Sequence, residues 1–457
     1  MMNHPGHGGD VPVAKRRRCV EPAGAAAGIP EDVVEQILLR LPVKSILRFR
    51  SVSKSWRAMV ADPRFVRLQL HHSTTATRRR PPSMLILSDW NMPQEQMGTI
   101  CFFRYPGHGV AAVLAHEMTW SSTVAAADGD GAADWDGAAD WDIDDDNLED
   151  AVDGDVDDDS NIDYEAIDRG LPLHCNGLVL LRSMEKYSTM LLVCNPATKE
   201  LAELPACTPD YFGVQAVGFY ADQSTGKTKV VHCFIRHCDK TCTDYSIGCE
   251  VLSLGSPVWR PVADPPYLVM NKTSPCILGG IYWIAGLPSP PTGSCTTPGM
   301  LRFDVCSEEF ASFPSPPFME RQELGDVYGV LTELAGKLCY VHAPADDKVE
   351  LWTASAAAND EGGGGPRWSL HCTVVLSHSF DTILPFTYDY QGGIFFNVDC
   401  ATIYRYDVER RVVERVVDML EEMTYFISSR YKLYRRDGEW RHHVIQYSES
   451  LVSVQAN

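Results

Sequence analysis

The sequence predicts a multidomain α+β protein in which a small N-terminal unit of three helices precedes an all-β propeller that carries an acidic, disordered insertion. Three observations lead there. Apolar residues at helical spacing over successive segments occur in residues 29–72. Short strand-like runs punctuated by turns and tryptophans fill 84–127 and 169–450. Between them, 128–168 holds 19 Asp and Glu and no Lys or Arg. The chain has 457 residues, of which 45% are hydrophobic and 22% charged, enough for several packed cores.

Residues 1–28 are rich in Gly, Pro and Ala, a composition that cannot offset the entropy of ordering, so a disordered tail is expected. Its run Lys15-Arg16-Arg17-Arg18 has the form of a nuclear import signal, which places the protein in the cytoplasm, the nucleus or both.

Val33, Val34, Ile37, Leu38 and Leu41 then recur with a period of about 3.6 residues, the pattern of an amphipathic helix. Pro30 suits its first position, Glu31 and Asp32 complement the positive end of the helix dipole, and Pro42 stops it. A second helix carries Val43, Ile46, Leu47 and Phe49. A third carries Val52, Trp56, Met59 and Val60 before Pro63 interrupts. Units below about 40 residues rarely bury a sufficient core alone. An apolar face awaiting a partner follows, with Leu38 and Leu41 expected to form part of it.

The segments Ile29-Pro30-Glu31-Asp32-Val33-Val34, Ile37-Leu38-Leu39-Arg40-Leu41-Pro42-Val43-Lys44-Ser45 and Arg48-Phe49-Arg50-Ser51-Val52-Ser53-Lys54-Ser55-Trp56 resemble the F-box of plant F-box proteins, with Ile29 where Leu is common. The resemblance implies binding to a Skp-type adaptor and, through it, to the cullin and RING protein of a ubiquitin ligase. Carried onto this chain, it assigns adaptor contact to Ile29, Pro30, Val34, Leu38, Leu41, Pro42, Val43, Val52 and Trp56, the last counted for helix packing as much as for contact.

Strand-like runs begin at Met84-Leu85-Ile86-Leu87 and Thr99-Ile100-Cys101-Phe102-Phe103, and the β domain is expected to start over 84–127. The acidic segment repeats Gly131-Ala-Ala-Asp-Trp-Asp136 as Gly137-Ala-Ala-Asp-Trp-Asp142, low complexity that suits a solvated loop. Loop closure cost grows only logarithmically, so deleting 128–168 is expected to shift the thermal midpoint by less than about 5 °C.

Beyond Arg169 two unit types alternate. One pairs an apolar strand with a second strand and a polar hairpin: Gly177–Leu181 with Leu191–Lys199, Gly280–Ile284 with Leu301–Glu308, Gly393–Phe396 with Ile403–Glu409. The other ends in tryptophan: Cys249–Leu254 to Trp259, Val349–Trp352 to Trp368, Tyr431–Tyr434 to Trp440. A unit of about 40 to 50 residues is the period of a propeller blade. Val417–Met423 carries the one helical pattern in this region. An open sheet would expose two edges, so the run Trp440–Tyr447 is expected to close the ring beside Met84–Leu87, with Ser453–Asn457 dispensable. The Cys175-Asn176-Gly177-Leu178 opening, Asn195-Pro196-Ala197-Thr198, and Phe303-Asp304 with Glu309-Phe310 resemble the F-box-associated, kelch-like propeller domains that follow plant F-boxes.

Several chemistries are set aside. Ala221-Asp-Gln-Ser-Thr-Gly226-Lys227-Thr228 lacks the first glycine of a phosphate loop and falls in a hairpin context. His232, Cys233, His237, Cys238 and Cys242 lack the spacing of a zinc site, and strand alternation sends His232 and Cys233 to opposite faces. Asp142, Asp144 and Asp146 open a calcium loop that Asn147 and Asp153 then break. His116-Glu117-Met118-Thr119 is followed by Trp120 where a metalloprotease needs histidine, and neither a serine elbow nor a catalytic cysteine signature occurs. No cofactor, metal or catalytic residue is expected. Trp259, Trp283, Trp352, Trp368 and Trp440 are read as core packing.

The net charge of −21 belongs almost wholly to the acidic segment, which leaves no broad basic face for nucleic acid. The longest apolar stretch, Ile277–Leu287, is too short for a span and broken by glycines, so no membrane partner is expected. Fifteen scattered cysteines point to a reducing compartment. The expected function is a non-catalytic, substrate-recruiting subunit of an SCF-type cullin-RING ligase whose propeller holds an unspecified target protein. Two alternatives stay open: a non-degradative nuclear module holding basic partners through the acidic insertion, and a kelch-type propeller enzyme.

Overall fold

The computed structural model describes residues 29–77, 84–88, 97–104, 113–121, 171–182, 189–211, 216–222, 226–238, 245–269, 273–277, 279–285, 299–319, 329–355, 366–389, 391–421, 425–428, 431–433 and 441–455. The N-terminal tail, the basic stretch at 78–83, the acidic segment, Cys242 and Trp440 lie outside them.

Four helices, not three, make up the N-terminal unit: α1 (Glu31–Leu38), α2 (Val43–Phe49), α3 (Lys54–Ala61) and α4 (Pro63–Thr77). The sequence expectation took Pro63 as a stop, but it opens α4. Its absent N–H is not needed in a first turn, and the Asp62 carboxylate accepts the next amide, Arg64 N–H, at 2.7 Å. Ser53 caps α3 in the same way, accepting from Trp56 N–H at 3.0 Å. Val34, Leu38, Leu39, Ile46, Val60 and Phe65 form the helical core, with Phe49 and Trp56 meeting edge to face beside it.

Six sheets follow, antiparallel except for one parallel pairing in the first. The second blade is β4 (Leu173–Cys175), β5 (Leu178–Arg182), β6 (Leu191–Asn195) and β7 (Glu200–Glu203); the third is β8 (Ala216–Ala221), β9 (Thr228–Cys238), β10 (Tyr245–Ser253) and β11 (Arg260–Pro261). The fourth is β12 (Cys276–Ile277), β13 (Gly280–Ile284), β14 (Met300–Asp304) and β15 (Glu309–Phe313). The fifth is β16 (Gly329–Leu334), β17 (Lys337–Ala345), β18 (Lys348–Ala354) and β19 (Trp368–Val375); the sixth is β20 (Ile383–Tyr388), β21 (Gly393–Val398), β22 (Thr402–Asp407) and β23 (Val412–Asp418). Val417 therefore belongs to a strand: the pairing of β23 with β22, which sets Val417 opposite Ile403, overrides the short helical pattern read at Val417–Met423.

The first blade is built from both ends of the β domain. Strands β1 (Met84–Ser88), β2 (Met97–Arg104) and β3 (Val113–Ser121) join β24 (Tyr425–Ser428), β25 (Tyr431–Leu433) and β26 (His442–Gln446) in the order β25-β24-β3-β2-β1-β26. Antiparallel pairing of Met84 with Gln446 through Ser88 with His442 closes the ring as the sequence predicts. Six blades thus result, and the strand nearest the axis is β26 in the first blade and the first strand in each of the others, with β4 beside β8, β16 beside β20, and β20 beside β26.

The period-2 pattern of the strands builds the seams. In β1, Leu85 and Leu87 pack with Val179 and Leu181 of the second blade, while Met84 and Ile86 pack with Phe395 and Ile403 of the sixth. The same division recurs in β9: Val230 faces the second blade and Val231 the fourth. Strands buried on both faces need apolar residues at consecutive positions, which is why β5, β6, β13 and β21 are buried throughout. Trp283 is fully buried and Trp259 nearly so, whereas Trp352 and Trp368 are half-buried against the fourth and fifth blades.

The polar hairpins of the first unit type share one device. The side-chain oxygens of Asn195, Asp304 and Asp407 accept backbone amides two or three residues on: Ala197 at 3.0 Å, Cys306 at 2.9 Å and Arg410 at 2.9 Å. Four residues after each, Lys199, Glu308 and Arg411 adopt φ between 54° and 62°. The repeat legible in the sequence is therefore one turn used in alternate blades.

Candidate adaptor-docking face and its anchorage

Helix α1 carries two adjacent apolar stripes. Val34 and Leu38, at i and i+4, point into the bundle and are 6% and 1% exposed. Val33 and Ile37, one residue earlier in each pair, are 43% and 47% exposed. Ile29 and Val52 add 63% and 59% exposed apolar side chains at the ends of α1 and α2, and Pro30 and Pro42 are exposed as well.

The structure therefore redistributes the residues assigned from sequence. Ile29, Pro30, Pro42 and Val52 remain on the surface. Val34 and Leu38 are buried within the chain itself, because three short helices and α4 together do close a core around them, and Val43 is fully buried as well. Leu41 and Trp56 are half-buried against that core. Val33 and Ile37, absent from the sequence-based assignment, take the outward positions. Their signal was the doubling of apolar residues at 33/34 and 37/38, wider than one helix face needs. Around them Arg40, Lys44, Arg48, Arg50, Lys54, Arg57, Arg64 and Arg67 are all exposed, against Glu31, Asp32 and Asp62 as exposed acids.

A C-terminal segment seats this unit on the propeller. The Glu449 carboxylate accepts the Val43 N–H at the start of α2 at 3.1 Å and pairs with Arg104 of β2 at 3.0 Å. Pro42 offers α2 no side-chain cap, so a residue some four hundred positions away supplies it. Gln69 of α4 donates to the Glu449 carbonyl at 3.4 Å, and Leu451 packs on the helical core. On the propeller side, Asn195 Nδ2 donates to the carbonyls of Ser450 and Val452 at 3.1 and 2.7 Å, and Ala197 N–H donates to the Tyr447 hydroxyl at 3.0 Å. Thr74 of α4, Gln446–Ser448 and the hairpins at Asn176, Ala335 and Asp389 surround one axial cavity, so the helices stand over the end of the channel where the first two strands of those blades turn.

This seating corrects one expectation. The stretch expected to be dispensable, Ser453–Asn457, includes a held residue: Val454 is 2% exposed in the seam between the second and third blades, and its N–H donates to Glu200. Removing it forfeits about 1.5–3 kcal/mol of burial. The turn at Asn176 and Gly177 is equally tied to the segment. Gly177 has φ +80°, and a Cβ there would lie 2.5 Å from Ser450 Oγ and 2.7 Å from the Ser448 carbonyl. Gly177→Ala is expected to cost at least about 2 kcal/mol, read as a lowered urea midpoint, because strain and backbone displacement add. An unchanged midpoint overturns this account of the turn.

The histidine and cysteine set of β9 divides as alternation dictates. Cys233 faces the fourth blade with its sulfur 3.7 Å from that of Cys249, while His232 faces the second and lies 3.0 Å from Glu250. The loop with glycine and lysine at 226 and 227 joins β8 to β9 as a hairpin. His116–Thr119 lies in strand β3.

A helical unit with an outward apolar stripe, strapped to a closed six-bladed propeller, defines a two-part architecture. The chain belongs to the F-box proteins with an F-box-associated propeller: the F-box domain model matches residues 28–68 and the F-box associated beta propeller domain model residues 152–454. It is similar to Arabidopsis thaliana proteins. An F-box/LRR-repeat protein is 26% identical over 63% of this chain and 55% of its own length. An F-box/LRR-repeat/kelch-repeat protein is 23% identical over 80% of both chains, and an F-box/kelch-repeat protein is 26% identical over 68% of this chain and 72% of its own.

Proposed function

We propose that this chain is a substrate-recruiting subunit of an SCF-type cullin-RING ubiquitin ligase. The helical unit docks a Skp-type adaptor, which brings the cullin and RING protein, and the propeller holds the target. The observation that carries this reading is the outward stripe of Ile29, Val33 and Ile37 with Val52, on a unit whose own core is already complete. Its basic surroundings suit an acidic partner surface. The mechanism is proximity: target lysines held beside a charged ubiquitin-conjugating enzyme react at raised effective concentration, so the chain supplies affinity and orientation and needs no acid, base or nucleophile of its own. Cytoplasm, nucleus or both are the proposed compartments; no helix among the described residues is long and apolar enough to cross a membrane.

Co-expression with a plant Skp-type adaptor, cullin and RING protein tests it. A stable four-protein complex on gel filtration, and target proteins that accumulate in cells when the chain is deleted or the proteasome inhibited, are expected. Folded chain that elutes alone, or that captures basic nuclear proteins without cullin, overturns it.

A further inference from the structure

We propose that Cys207, His232 and Glu250 form a binding site for a zinc-like divalent cation in the seam between the second and third blades. The three residues come together through topology. Cross-strand register places Glu250 of β10 directly opposite His232 of β9, both on the face toward the second blade. The connector that leaves β7 carries Cys207 into the same seam. One donor atom from each, a sulfur, an imidazole nitrogen and a carboxylate oxygen, lie within 4.8 Å of one another, and all three residues are buried.

Two further features point to a ligand. His232 is fully buried, stacked on Phe234 at 5.2 Å and edge-on to Trp259 at 6.0 Å, and this packing aims its Nδ1 at Glu250 Oε1, 3.0 Å away. Second, the Glu250 carboxylate is already oriented from behind. Thr208 donates its N–H to Oε1 at 2.8 Å and its hydroxyl to Oε2 at 2.9 Å, the outer support that ligating carboxylates typically have.

Charge also fits. A divalent cation bound by thiolate, carboxylate and neutral imidazole gives an assembly with no net charge, which an apolar seam can hold. On binding, the thiol proton leaves to solvent, and the imidazole keeps its single proton on the nitrogen away from the metal. Mixed sulfur and nitrogen donors favour zinc over calcium or magnesium, and a solvent oxygen completes a four-coordinate shell. The cation would pin the connector to the third blade. The sequence analysis placed His232 among its neighbours Cys233, His237 and Cys238; the metal-capable partners instead lie 25 residues before it and 18 after, reachable only once the sheet has formed.

The test uses the full chain, expressed in zinc-supplemented medium and dialysed against a weak chelator. About one zinc per chain is expected by elemental analysis, with one sulfur at about 2.3 Å by X-ray absorption. Cobalt substitution is expected to give a thiolate-to-cobalt charge-transfer band. Cys207→Ser should abolish that band and lower zinc content at least tenfold, while the exposed-cysteine control Cys306→Ser leaves both unchanged. Should Cys207→Ser fold poorly, the wild-type chain decides: added zinc must raise its melting temperature, and chelation must lower it. Metal-free protein whose melting is indifferent to zinc overturns the proposal, as does full zinc content in Cys207→Ser.

Discussion

Replacing Val33 and Ile37 together by aspartate is expected to abolish adaptor binding while leaving the protein folded. Both side chains project from α1 with nearly half their surface in solvent, and neither belongs to the helical core. Burying each in a partner contributes about 1.5–3 kcal/mol, and a carboxylate forced into the same apolar contact adds a desolvation cost. The affinity loss is therefore at least about a hundredfold, while the melting temperature moves by no more than a few degrees. Leu38→Asp provides the contrast. That side chain is 1% exposed among Val34, Ile46, Val60 and Phe65, so the change is expected to unfold the helical unit rather than remove a contact. Adaptor capture by pull-down and near-ultraviolet circular dichroism separate the two. If Val33→Asp/Ile37→Asp still captures adaptor at wild-type strength, the outward stripe is not the docking face.

Ending the chain before residue 441 is expected to yield insoluble protein. Strand β26 contributes five paired positions to β1 and is the strand of the first blade nearest the axis. Its loss strips β1 of one partner and leaves an open edge in a ring that otherwise has only short, protected ones. The same cut removes Tyr447, Glu449, Leu451 and Val454, so the seam between the first and second blades, the cap of α2 and part of the seam between the second and third blades go together. The expected readout is a shift from soluble fraction to pellet, with chaperone-bound material in between. A soluble, monomeric truncated chain whose melting matches the full protein overturns the closing role of β26.

Much of this architecture was legible in one dimension. Alternation in strands such as β18 and β20, the consecutive apolar runs of β5, β13 and β21, and the tryptophans at blade intervals all report burial that a strand imposes through its period of two. The hairpins at Asn195, Asp304 and Asp407 were visible because a turn that needs a side-chain acceptor and a residue at positive φ restricts composition locally. The closing strand was predictable for a negative reason: an unpaired edge is unstable wherever it lies. What misled was equally local. Pro63 reads as a stop by propensity and as a first-turn residue once Asp62 caps it, and the difference lies in one hydrogen bond.

The docking face shows where local reading ends. Periodicity placed Val33, Val34, Ile37 and Leu38 on one helix, but which of two stripes faces solvent depends on where α2, α3 and α4 pack. The seat of α2 on Glu449, the contact of Leu451 with the helical core, and the meeting of Cys207, His232 and Glu250 join residues far apart along the chain, and no window of sequence contains them. Local spacing set most of the elements, their alternation and the class of turn between them, because those follow from residues close along the chain, while α4 and the last strand of the sixth blade needed their packing partners. Only the tertiary structure decided the blade count, the outward stripe and the C-terminal strap, because each is set by which distant surfaces compete to cover the same apolar area.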